Sequence, residues 1–145
     1  MTFIHVRGPA KTEGFPKVAS TAIALASALA FDIEGRVAQA RAVSTRIAGI
    51  SGRKIASTDD DYASNTVIPL IIPSSDDVFE ATVSGTAVQA HVGQAFDLTQ
   101  TDGGTAQAVD LAAQSYKVVT VVKFINSSTV QVKFNGNYAY SSKAN

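Results

Sequence analysis

Residues 117–134 read KVVTVVKFINSSTVQVKF, and this stretch decides the fold class. From Thr129 to Phe134 apolar and polar residues alternate, with Val130, Val132 and Phe134 on one side and Gln131 and Lys133 on the other. Period two is the signature of a strand with one buried face. Asn126-Ser127-Ser128 supplies turn chemistry ahead of it, so the two runs read as a hairpin. The first run, Lys117 to Ile125, is apolar on both parities at its centre, which predicts cover on both faces.

The same reading extends outward. Downstream, Asn135-Gly136-Asn137 turns the chain, and Tyr138-Ala139-Tyr140 leads to a polar tail. Upstream, VQAHVGQAFDL (Val88 to Leu98) reads as strand broken at Gly93, Ala108 to Leu111 is a short element, and Val78 to Val83 alternates. TVIPLII (Thr66 to Ile72) is rich in β-branched residues, but Pro69 cannot donate to a ladder, which predicts an edge strand or a bulge. Around Asp32-Ile33-Glu34-Gly35, residues 28–40 read as a hairpin. Between Ile23 and Phe31 the large residues Ile23, Leu25, Leu29 and Phe31 share one parity and alanines hold the other, as in a strand whose second face packs closely on something. Residues 1–17 contain Gly8, Pro9, Gly14 and Pro16 and read as an extended arm.

Composition agrees. The 145 residues include 16 Val and 10 Ile against 5 Leu, a ratio that favours pleated surfaces; the 23 Ala leave the first half more ambiguous. The length suits one domain, and the expectation is an all-β protein: a single small β-barrel or sandwich of about seven to nine strands, with an arm over 1–17, a barrel domain over 18–140 and a polar tail over 141–145. Without cysteine there is no disulfide framework, thiolate metal site or cysteine nucleophile. No run approaches the length of a membrane span, and the charged start MTFIHVRGPAKTEG has no apolar signal region, so cytosolic synthesis is expected. Twelve basic residues balance twelve acidic ones, which argues against a nucleic-acid binder that relies on bulk positive charge. The balance hides segregation: residues 1–56 carry +5, 57–116 carry −9 and 117–145 carry +4. If these blocks occupied different faces, copies of the chain would meet with complementary fields; a barrel that interleaves them would mix the charge. Charged residues amount to only 17%, low for a small monomer and suggestive of life in an assembly.

Candidates for chemistry are few. The histidines are His5, in the arm, and His91, beside Gly93; no serine sits in a nucleophile elbow. Asp59-Asp60-Asp61 and Asp76-Asp77 offer paired carboxylates or a cation site, but neighbours on a loop diverge and the spacing of an EF-hand is missing. Gly103-Gly104 lacks the Lys-Ser/Thr of a phosphate loop. An enzyme or ligand binder would use His91 with a carboxylate such as Asp97. No cofactor, metal or catalytic set is expected.

Three stretches together resemble the capsid decoration, or cement, proteins of tailed bacteriophages: Phe31-Asp32 to Gly35 followed by Val37; IAGI (Ile47 to Ile50) with TVIPLIIPSSDDVFEATV (Thr66 to Val83); and VQAHVGQAFDL followed by KVVTVVKF and VQVKFN. The resemblance covers about residues 28–135. It departs at Ser74-Ser75-Asp76-Asp77, which lacks a glycine often found there, and it leaves out the N-terminal segment. It implies a structural virion protein on the outer surface of an icosahedral head, bound to the major capsid protein at capsomer junctions and commonly a homotrimer, with no nucleic-acid or membrane partner. On that expectation the arm residues Phe3, Ile4, Val6, Arg7 and Phe15 contact the capsid, and Val119, Val121, Tyr138 and Tyr140 lie between subunits. The alternatives are a head-fibre base or tail component, or a small β-barrel ligand binder or enzyme.

Overall fold

The computed structural model describes residues 2–40, 47–99 and 107–135. Its strands are β1 (Phe3–Arg7), β2 (Thr12–Pro16), β3 (Ala28–Phe31), β4 (Val37–Gln39), β5 (Ile47–Ser51), β6 (Val67–Ile71), β7 (Val78–Ser84), β8 (Ala95–Leu98), β9 (Val109–Asp110), β10 (Val119–Asn126) and β11 (Thr129–Phe134). The expectation of a small all-β fold holds, with eleven strands among the described residues in place of the expected seven to nine.

The decisive hairpin forms as β10 and β11. β11 pairs onward with β7, and β10 with β8. β8 then pairs with β9, which runs parallel to the end of β7 and closes a five-stranded barrel. Val119, Val121, Val130, Val132, Phe134, Phe79 and Phe96 fill it. The apolar run on both parities of β10 has a different cause from the one expected. The register shifts between Val121 and Lys123, so Val119 and Val121 point inward before the shift and Phe124 after it. A bulge exchanges the parities. Lys123 and Ile125 are exposed, and β10 is not covered on both faces along its length.

The second sheet has the order β2-β6-β5-β3-β4. Here the double cover is found. Ala28 and Ala30 of β3 pack into the barrel's core, while Leu29 and Phe31 face a second core with Ile23, Val37, Ala48, Ile55, Ile68 and Leu70. Over Ala28 and Ala30 the alanine parity is the closely packed face the sequence predicts, but the strand does not extend back to Ile23: Ala26 has φ +55° and Leu25 is exposed. β5 is buried at all five positions, sending Ile47 and Ile50 to the barrel side and Ala48 to the other. Gly49 is needed there because a Cβ would lie 2.6 Å from the Ile71 carbonyl oxygen. Beyond β2 the sheet curls until Lys17 meets Val37 of β4 in a single parallel bridge.

Two expectations are corrected. β6 is not an edge strand: it lies between β2 and β5. Pro69 is tolerated because it faces the end of β5, where its carbonyl accepts the Gly52 N–H at 2.8 Å and no donor is demanded in return. Nor are residues 1–17 an arm apart from a domain beginning at 18. Their extended chain supplies β1 to the barrel sheet and β2 to the second sheet, with Phe3 only 1% exposed against Phe134 and Phe15 edge-on to Phe31. The prolines and glycines of this segment fall in the connector or outside the demands of the β6 ladder.

Candidate functional site

The chain crosses between the two sheets through the β1–β2 connector and the β6–β7 connector, and one carboxylate binds both. Asp77 is wholly buried. Its Oδ1 accepts from His5 Nε2 at 2.8 Å and Ala10 N at 3.0 Å, and its Oδ2 from Ser74 N and Ser74 Oγ, both at 2.9 Å. Gly8, at φ +115°, passes so close that a Cβ would overlap Oδ1. Burial pushes this carboxyl up, but the hydrogen bonds from Ser74, Ala10 and His5 outweigh it and hold the group below its ordinary value. A serine, a histidine and an aspartate therefore meet here, yet both Ser74 Oγ and His5 donate to the carboxylate. A nucleophile needs its hydroxyl on the histidine. The arrangement is a clasp between connectors.

The other titratable candidates are committed in the same way. His91 lies in a 3-10 turn (Gln89–His91) instead of a strand; its Nδ1 accepts the Val88 N–H at 3.1 Å, and its ring stands edge-on to Phe96. Asp97 accepts three backbone amides, from Ser115 at 3.1 Å and from Tyr116 and Lys117 at 2.7 Å each. Asp59 accepts Ala56 N, Asp61 pairs with Arg53, and Asp110 accepts Ala112 N. Asp59, Asp77, Asp97 and Asp110 of the acidic block 57–116 are thus loop-capping groups: a carboxylate is an acceptor that ties down loop N–H groups. Folding also interleaves the charge blocks, with Lys117, Lys123 and Lys133 sharing the barrel with Asp76, Glu80 and Asp110. Among the described residues, no group of three or more His, Asp or Glu is placed to hold a metal ion.

The predicted contact residues separate into two sets. Phe3 is core, and Val119 and Val121 are wholly buried inside the barrel, so none of these three presents a contact surface, while Phe15 is half-buried with its ring edge-on to Phe31. Phe3 and Phe15 read as capsid contacts because their segment reads as an arm, whereas it forms β1 and β2. Tyr138 and Tyr140 lie outside the described residues. Ile4, Val6 and Arg7 remain. On β1 Ile4 points away from the barrel core opposite Glu80, Val6 sits in a bulge, and they are 46% and 42% exposed; Arg7 is exposed beside them. A rigid strand, anchored by Phe3 and clasped through His5, presents an isoleucine, a valine and an arginine to the outside. Neither a scan against protein-family models nor a search of curated proteins returns a match.

Proposed function

We propose that the chain is a capsid decoration protein that binds the outer surface of an icosahedral phage head at capsomer junctions and stabilises it. The observation that carries this reading is the Ile4-Val6-Arg7 surface: apolar side chains exposed on an anchored strand are suited to a protein partner and lose little freedom on binding. The set of motifs resembling cement proteins supports it, as does the use of the buried acids to hold loops. The partner is the major capsid protein, and the action is mechanical: repeated contacts across a junction convert individually weak binding into a lasting clamp. Three-fold association of copies belongs to the same proposal; its contacts lie elsewhere than Val119 and Val121.

Deleting residues 2–17 would not test this, because it removes a strand from each sheet. The test is the double variant Ile4→Asp/Val6→Asp, both outward, added to purified expanded heads that lack the protein. Occupancy should require at least about tenfold more protein than the parent, from the loss of two partly exposed aliphatic side chains. Unchanged occupancy would remove this surface from the proposal, and a parent chain that decorates no head would overturn the function.

A further inference from the structure

The outer edge of β2 is open from Thr12 to Gly14, ahead of the point where Lys17 meets β4, and its chemistry defines what fits it. β2 runs antiparallel to β6 with Thr12 opposite Ile71 and Pro16 opposite Val67. In that ladder Ile72 N donates to Lys11 O and Lys17 N to Thr66 O. The odd-numbered residues therefore turn their backbone groups toward β6, and the N–H and C=O of Thr12 and Gly14, with the C=O of Pro16, face the other way. The parallel bridge of Lys17 to Val37, with Val18 N on Val37 O at 2.9 Å, covers this edge at Pro16; the four groups of Thr12 and Gly14 face no strand among the described residues, and Thr12, Glu13 and Gly14 are exposed.

Other edges are blunted. The barrel closes on itself, and β1 carries a bulge while Thr2 N and Phe3 N are taken by Ala26 O. The usual protections of an open edge are a bulge, an edge lysine or a proline within the run. β2 carries Pro16 at its last position, β4 beyond it and the single charge of Glu13, but no bulge and no lysine between Thr12 and Gly14. Its outward face is also shaped for a neighbour. Val67, 59% exposed, leans across bare Gly14, where a Cβ would lie 2.8 Å from its Cγ1, and exposed Pro69 follows in the same row.

We propose that the β2 edge is a strand-addition site that takes an extended segment of a partner protein. Main-chain hydrogen bonds to Thr12 and Gly14 supply the affinity. Apolar side chains at alternate positions lie beside Gly14 and over Val67 and Pro69, and on the other face a basic side chain meets exposed Glu13. This site is separate from the Ile4-Val6-Arg7 surface and does not depend on the decoration reading.

The probe is a capped heptapeptide, TVKVTVT, titrated into isotope-labelled full-length protein and followed by amide NMR and amide hydrogen exchange. The amides of Thr12 and Gly14 should shift and their exchange should slow. Thr12→Pro removes one edge donor while leaving the β6 ladder intact, and should weaken binding at least about tenfold with an unchanged spectrum for β6. Glu13→Lys should weaken the lysine-bearing peptide while leaving that of an uncharged TVTVTVT probe unchanged. Shifts confined to other strands, no shift at millimolar peptide, or equal binding by Thr12→Pro with its fold intact would each overturn the proposal.

Discussion

Asp77 and Lys17 are both wholly buried, and their removal has different consequences because of what each leaves behind. Asp77→Asn replaces one acceptor oxygen with a donor facing Ser74 or Ala10, and should cost about 2–3 kcal/mol at neutral pH, read from urea midpoints. Because the folded carboxyl lies below the ordinary 3.8, its contribution is complete above that value and is lost as pH falls through the lower folded one. The parent's stability should therefore drop toward the variant's in strong acid, and parallel curves would contradict the clasp. Lys17 donates through Nζ to Val18 O at 3.1 Å and Tyr62 O at 2.5 Å, above the Tyr62 ring. Each carbonyl has a second donor, Thr21 Oγ1 and Ser20 N respectively, so Lys17→Met orphans neither. That variant should stay within about 1 kcal/mol of the parent. Burial lowers the Lys17 amine from 10.5, with Asp61 pulling it back up. The unfolded chain then holds the proton more tightly, so parent stability gains a rising component as pH climbs from the folded value to 10.5; Lys17→Met should lack it.

At the scale of elements, Gly49 decides how closely β5 approaches β6. Gly49→Ala should cost about 2–3 kcal/mol, because the new Cβ meets the Ile71 carbonyl, which is backbone and cannot move aside. Gly93→Ala, where a Cβ meets nothing within 4 Å, should cost only the left-handed conformation, about 1–2 kcal/mol. Thermal melts of the two variants check the contrast. These positions also mark how far the fold was legible in the sequence. The inward face of β11 (Val130, Val132 and Phe134), the Asp32–Gly35 turn and the alanine face of β3 were readable because each is a local pattern with one physical cause; the polar parity of β11 was not, since Gln131 is buried too. The double-sided apolar run of β10 was misread because a bulge and a double cover produce the same letters. Pro69 misled because it reports a missing donor, and only the pairing tells where the neighbouring strand ends. The clasp was hidden for a related reason: His5 and Asp77 stand 72 positions apart, and no local rule joins them.

At the scale of the molecule, the two cores share their walls. β3 gives alanines to the barrel side and Leu29 and Phe31 to the other, whereas β5 gives isoleucines to the barrel side and Ala48 to the other. Small faces large across each layer, so neither core closes without the strands that bound the other. A buried seam reinforces this: Gln107, which precedes β9, bonds the Ala28 N–H at 2.8 Å and the carbonyls of Ala28 and Ala40 at 3.1 and 3.2 Å. The barrel and the second sheet should therefore unfold as one unit despite having separate apolar clusters. Tyr62 packs on the second core and Tyr116 on the barrel's, so tyrosine-labelled NMR reports each separately. Ile68→Ala, in the second core, should lower stability by about 2–5 kcal/mol and move both reporters to the same urea midpoint; Val132→Ala, in the barrel, should also move them together. If Ile68→Ala shifted Tyr62 alone, the shared walls would not couple the cores, and the chain would be two bodies joined at the Asp77 clasp.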